Sequence, residues 1–386
     1  MLTQISIVNV KDYKSIQDAV KEAVILIEDN LTFNFSNANS ILIKPNLLTG
    51  NKNACTNPSF VDGILSYLKE KKIPLEKILI GDSPGQSNES AIGVAKKIGL
   101  FEICENYGIE ISDFESQPPI KESIDGAIKL KDSFIAKMVK ESDILINLPR
   151  LKTHAEATMT GAIKNYWGII PGGLKAKFHL LGKTADQFGE VIADNFSWVV
   201  RNKPNRMTIY DLQLVMDGSM GPSSGNMNKW DLILAGTDEL ALDIVALEIG
   251  KFKGIHVPHI KSAIRRQLGV SNINEIEFKG LTLDYAKKIT PRFNVPNEFL
   301  TKFVSILTGN IAYRMMEKIP ELNKIKCKKC GQCAQICPAE AIKFQPNMFP
   351  SFNRQKCISC LCCMELCPHN AINPKRKGLK GLLEIF

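Results

Sequence analysis

Eight cysteines carry the plainest chemistry in this sequence. They fall in two runs, CKKCGQCAQICP with Cys327, Cys330, Cys333 and Cys337, and CISCLCCMELCP with Cys357, Cys360, Cys363 and Cys367. Both read C-x2-C-x2-C-x3-C-P, and the second repeats the first thirty residues on. Thiolates are soft metal ligands, and tight C-x2-C spacing aims successive sulfurs at one centre. Zinc needs only four ligands per site and has no use for the duplicated Cys-Pro ending. Disulfides are not expected in a chain read as cytosolic. Cys362, an extra thiol within the second run, reads as a bystander. Cys104 lies in an apolar helical pattern and reads as core; the role of Cys55, close to a polar motif, stays open.

The spacing resembles that of two-cluster bacterial ferredoxins. That resemblance implies two [4Fe–4S] clusters, with the fourth Cys of each run reaching across. One cluster would take Cys327, Cys330, Cys333 and Cys367; the other would take Cys357, Cys360, Cys363 and Cys337. Residues 323–386 hold eleven Lys/Arg against three Glu, which is +8 of the formal +9 of the 386-residue chain. Two ligated clusters at about −2 each offset much of that excess. Nucleic acid is therefore not the expected partner. A small acidic electron carrier of the ferredoxin or flavodoxin type suits the remaining charge, with Lys328, Lys329 and Lys356 near the cluster loops.

A second group of reactive side chains lies in LPRLKTHAEATMTGAIKNYWG, residues 148–168. Thr153 followed by Glu156 fits a capping box and predicts a helix from there to about Tyr166. On that helix His154, Thr158, Gly161 and Asn165 form one small polar face, bordered by Lys164. Lys152 and the helix N-terminus add positive potential. PGGLKAKFH, with Gly172, Gly173, Lys175 and His179, reads as an anion nest. Three other Gly/Pro-punctuated loops carry Lys44 and Asn46, then Asp82 and Ser83, then Asp217. In AGTDELALD, Asp238 reads as an N-cap.

These loops need strands to position them. ILIKPNLL, KILIGDSPG, DILINLPRLKTH, RMTIYDLQLV and WDLILAGTD are β-rich runs, with amphipathic helical patterns between several of them. That alternation predicts an α/β domain over residues 1–280, its sheet largely parallel with helices on both faces. Ligands of such sheets sit beyond the carboxyl ends of the strands. Residues 281–322 read as a helical connector. Residues 323–386 read as a small α+β ferredoxin-like domain. No signal peptide is legible at the N-terminus, and the apolar run FVSILTGNIAY is too short to span a bilayer, so a cytoplasmic protein without a membrane partner is expected.

KPNLL, GDSPG, PRLKTH with GAIKNYWG, MDGSMGP and AGTDELALD together resemble the family catalogued as domain of unknown function 362, whose members often carry a C-terminal ferredoxin-type module. More distantly, the Lys-His…Gly…Lys…His pattern is similar to the lactate racemase fold, whose members use Lys and His around a nickel-pincer cofactor. Three functions are consistent with the residues. The first is an iron–sulfur reductase of an anionic small molecule, with His154, Lys152 and His179 catalytic and with Lys44, Asn46, Asp82, Ser83, Thr158, Lys164, Asn165, Lys175 and Asp217 binding substrate. The second is an electron-transfer accessory protein docking a partner enzyme. The third is a non-redox, lactate-racemase-like proton-transfer enzyme with structural clusters.

Overall fold

A computed structural model describes residues 2–85, 89–182, 184–218, 221–223, 225–295, 318–365 and 367–376. The chain begins with strands β1 (Thr3–Asn9), β2 (Ile41–Pro45), β3 (Ile78–Asp82) and β4 (Ile111–Asp113). Between them lie α1 (Ile16–Ile25), α2 (Pro58–Glu70), α3 (Ala91–Ile98) and α4 (Leu100–Asn106). A separate hairpin, β5 (Ile120–Ser123) with β6 (Asp132–Ile135), and α5 (Lys137–Glu141) lead to β7 (Ile144–Leu148), β8 (Arg150–His154) and β9 (Thr158–Thr160). Next come α6 (Ala162–Asn165), α7 (Leu174–Phe178) and α8 (Ala185–Asn202). The long strands β10 (Arg206–Asp217) and β11 (Asn226–Gly236) follow, then α9 (Glu239–Ile249), α10 (Pro258–Arg265), β12 (Ile276–Gly280) and α11 (Leu283–Ile289).

Helix ends carry the expected chemistry. Ser15 caps α1 by accepting from the Asp18 amide, and Asn57 caps α2 directly before Pro58. Asp238 caps α9 by accepting from the Ala241 amide, as its position in the sequence predicts. The main sheet runs β12-β1-β11-β10-β7-β2-β3-β4, with β8 and β9 attached beside β10. β10, β7, β2, β3 and β4 are parallel neighbours, while β11 is antiparallel to both β1 and β10. The domain is thus α/β with a large, mostly parallel sheet.

Strand residues alternate between two cores. Leu42, Leu145, Leu212 and Leu234 pack with α8, α9 and α10, while Ile41, Ile43, Ile144, Ile146 and Ile209 pack with α1, α2 and α3. Helices therefore cover both faces, which is why the central strands read as continuous apolar runs.

Within the stretch read as a connector, α11 packs against α9. Its main helical run, residues 297–319, lies largely outside the described residues. The cysteine-rich part holds β13 (Lys318–Leu322), α12 (Gln332–Gln335), β14 (Ile342–Lys343), β15 (Ser351–Phe352), α13 (Cys362–Glu365) and β16 (Ile372–Arg376). β13 pairs with β16 and β14 with β15, both antiparallel.

The helix predicted over residues 153–166 does not form. Residues 150–154 are strand β8, paired with β10 and with β9, and helix begins only at Ala162, with α6 (Ala162–Asn165) running into a 3-10 turn at Tyr166–Ile169. The local capping signal loses to pairing along an extended strand. His154 takes over the turn, where its Nδ1 accepts from the amides of Glu156 and Ala157, each at 3.2 Å. Gly161 is not in mid-helix but sits in extended backbone just before α6. A Cβ there would collide with the Asp243 carboxylate and the Tyr210 hydroxyl.

Candidate functional site

Parallel strands β2 and β3 end at Pro45 and Asp82, and β8 continues from β7 along β10. Their carboxyl ends and the following loops enclose a cavity of about 110 Å³. Lys44, Asn46, Asp82, Ser83, Lys152, His154, Lys164, Asn165, Lys175 and His179 all line it. Ten of the twelve side chains singled out in the α/β domain thus share one space. Thr158 and Asp217 do not line it. Thr158, at φ 71°, lets the β8–β9 hairpin turn. Asp217 accepts from the Asn294 amide at 2.9 Å and ties the end of β10 to the chain beyond α11.

The lysines are held differently. Lys44, fully buried, is paired with Asp82 at 2.8 Å, and the other Asp82 oxygen accepts from the Leu47 amide at 2.7 Å. Burial pushes the Lys44 ammonium below its usual range, partly countered by the Asp82 charge. Lys175 donates to the Ser83 carbonyl and hydroxyl, each at 2.6 Å, and to the Pro84 carbonyl at 3.0 Å. Burial lowers it to about 8. Lys152, fully buried, donates to Asn46 Oδ1 at 2.7 Å and the Ala54 carbonyl at 2.5 Å; burial lowers it to about 7. Among the described lining residues four lysines face one carboxylate, and that carboxylate is already paired. Such a space favours an anion.

An amide ladder fixes the back wall. Asn46 Nδ2 donates to Asn165 Oδ1 at 3.0 Å, and Asn165 Nδ2 donates to Asn147 Oδ1 at 2.7 Å. His154 is held neutral, well below its usual range, by burial and by Lys164. With Nδ1 accepting two amides, its proton sits on Nε2. His179 Nδ1 lies 2.7 Å from Glu156 Oε2, and the ring stacks on Phe188 with centroids 4.1 Å apart. Ser83 also bonds Glu115.

Several lining residues were not read from the sequence. Gly168 crosses directly over the Lys44–Asp82 pair, where a Cβ would lie 2.8 Å from Lys44 Nζ. Thr160, Trp167, Pro222, Ile336 and Cys362 also line the cavity, and Glu156 supports it through His179. Alternation along β9 could have found Thr160. Nothing local marks the others, because tertiary packing brings them there. Cys362, read as a bystander, is buried and faces this space. Cys104 is core as expected. Cys55 is a buried thiol donating to the Thr49 carbonyl at 3.0 Å, and burial raises its pKa.

The cysteine runs form two groups. Cys333 interacts electrostatically with Cys327, Cys330 and Cys367, and these four line one small pocket. Cys363 interacts with Cys357, Cys360 and Cys337, and also with Cys333, so the two groups adjoin. The fourth cysteine of each run thus lies with the first three of the other run. Cys327, Cys337 and Cys367 sulfurs accept from the amides of Lys329, Ala341 and Ala371 at 3.3–3.4 Å. Backbone donors aimed at sulfur suit thiolates bearing a cluster. The thirty-residue repeat recurs in three dimensions: Asn323 Oδ1 accepts from the amides of Ile325 and Lys326 as Asn353 Oδ1 does from Gln355 and Lys356. The residues fit two [4Fe–4S] clusters.

Comparison with known proteins agrees with both parts. Residues 41–248 match the domain of unknown function DUF362. The chain belongs to the DUF362 family. Residues 326–371 match the 4Fe-4S dicluster domain, so this DUF362 protein is an iron–sulfur protein. A thylakoid-associated protein of Synechocystis sp. is 32% identical over 239 residues, which cover 60% of this chain and 68% of that one. Among solved structures, the lactate racemase apoprotein from Thermoanaerobacterium thermosaccharolyticum is 15% identical with a TM-score of 0.39, covering 62% of this chain and 55% of that one. A structural-genomics protein from Thermotoga maritima is 12% identical with a TM-score of 0.37, covering 58% and 56%. The DUF362 chain thus spans little more than half of each. Among the described residues, no helix is long and apolar enough to cross a membrane.

Proposed function

We propose that this protein is a cytoplasmic iron–sulfur oxidoreductase. It takes electrons from a small acidic carrier of the ferredoxin or flavodoxin type and delivers them to a small anionic substrate. In this reading residues 1–280 bind the substrate and residues 323–386 hold the clusters. When bound, the two [4Fe–4S] clusters supply one-electron transfer.

One observation carries the reading: the lysine cavity and the cysteine module share a wall. Ile336 and Cys362 line the cavity, and each is the chain neighbour of a cysteine of the second group, Cys337 and Cys363. Cys360 of that group lies within electrostatic reach of His179 and Glu156. Lys44, Lys164 and Lys175 would hold the substrate's negative charge, with Lys152 in the same cavity. His154, protonated on Nε2, would donate a hydrogen bond, and His179, oriented by Glu156, would supply a proton.

The test is anaerobic reoxidation of the dithionite-reduced protein by a panel of small carboxylates, oxo acids and oxyanions, followed by absorbance. At least one anion should reoxidise it in a saturable way, and Lys175→Ala should weaken that saturation with the cluster spectrum intact. Reoxidation at the buffer rate by every anion would count against the proposal, as would product formation without any reductant.

A further inference from the structure

Lys44, Lys152 and Lys175 all enter the cavity, yet their partners give them different chemistry. Lys175 donates three hydrogen bonds to oxygen, the full complement of an ammonium. Lys44 faces the Asp82 carboxylate, whose charge favours the ammonium form. Lys152 donates to Asn46 Oδ1 and to the Ala54 carbonyl, and both acceptors are uncharged. Two donors are what a neutral amine has, and its lone pair is then left over. Lys152 is also fully buried, and that burial, with the charges of Arg150 and Lys164, works against a third cation more than Cys55 and Asp82 favour one.

We propose that Lys152 is a nucleophile that condenses with the ketone of a small α-oxo acid to form an imine. This rests on the reading that the cavity takes an anionic substrate, and it names the class of that substrate. The positive charges of Lys44 and Lys175 would attract the carboxylate and leave the adjacent carbonyl to Lys152. The Nζ–C bond forms, the carbonyl C–O bond breaks, and the oxygen leaves as water with the two hydrogens of the neutral amine. Electrons are conserved and no co-reactant is needed. His154 lines the same cavity and carries its proton on Nε2, so it is a donor for the departing oxygen. Hydrolysis returns the free amine. A lysine lowered to about 7 is largely unprotonated at slightly alkaline pH, which this step requires.

Pyruvate with sodium cyanoborohydride, added anaerobically to the full-length cluster-loaded protein at pH 7.5, tests the assignment by peptide mass spectrometry. Lys152 should carry the reduced adduct roughly several hundredfold more than a lysine of ordinary pKa, following the difference in free-amine fraction. Lys152→Arg should lose the adduct; if that variant does not fold, the site map on the unaltered protein decides alone. Labelling spread evenly over exposed lysines, with Lys152 unmodified, would overturn the imine. If α-oxo acids still reoxidise the reduced protein in that case, the oxidoreductase reading survives without it. An adduct at Lys152 in a protein that no anion reoxidises would support the imine and contradict the oxidoreductase.

Discussion

Gly168 shows how tightly the anion cavity is built. A methyl group there would lie 2.5 Å from Asp82 Oδ1 and 2.8 Å from Lys44 Nζ. Neither side chain can retreat, since Asp82 is fixed by the Leu47 amide and Lys44 is wholly buried. Gly168→Ala should therefore disturb the Lys44–Asp82 pair and weaken anion binding about tenfold, or ~1.4 kcal/mol. Titration calorimetry with a bound anion would show it, and unchanged affinity would mean the pair does not shape the site. Lys152 offers a pH signature. Its folded value of about 7 lies below the ordinary 10.5 of the unfolded chain, so between these values the unfolded state holds more protons. Stability should rise with pH across that window, and the cost of charging the buried amine is fully present below pH 7. Compared with Lys152→Met, the unaltered protein should gain roughly 1–3 kcal/mol between pH 6.5 and 9.5 in urea denaturation. A parallel pair of pH profiles would show that Lys152 is already charged in the fold.

At the scale of elements, α6 is a single turn held from outside. Asp243 on α9 accepts from the amides of Ala162 at 2.7 Å and Ile163 at 3.0 Å, in place of a local cap. Asp243→Ala leaves two buried donors without that acceptor and should cost about 1–3 kcal/mol. It should also loosen Lys164 and Asn165, which α6 presents to the cavity, so urea denaturation and anion affinity should change together. Most of this architecture was legible: the alternation of patterns pointed to the α/β class, and the carboxyl ends of β2, β3 and β8 carry Lys44, Asp82, Lys152 and His154. Two features were not. Thr153 and Glu156 satisfy a helix-start rule, but pairing of β8 with β10, a strand more than fifty residues on, overrides a local signal. The antiparallel insertion of β11 depends on a return from β10 that strand propensity does not encode. Thr158 was misplaced by the same helix, because a helical wheel puts it on the His154 face while the hairpin does not.

At the scale of the molecule, the two cysteine groups face different surroundings. Cys330 is exposed, and Lys324, Lys326, Lys328 and Lys329 around it are exposed too, while Cys360, Cys362 and Cys363 are buried. Electrons are expected to arrive at the first group from an acidic carrier. Its reduction rate should fall with ionic strength, and Lys328→Glu with Lys329→Glu should slow it about tenfold. Stopped-flow mixing with a reduced acidic ferredoxin measures this, and a rate indifferent to salt would place docking elsewhere. The repeat and its spacing made both groups legible from the sequence, but the wall they share with the lysine cavity was not, since Ile336 and Cys362 reach it only through the packing of one part on the other. That wall is the central claim. Electron paramagnetic resonance of the fully reduced protein, titrated with a small anion, tests it most directly. The expected result is a saturable change confined to one of the two cluster signals, lost in Lys175→Ala. An anion that binds by calorimetry and alters neither signal would contradict it.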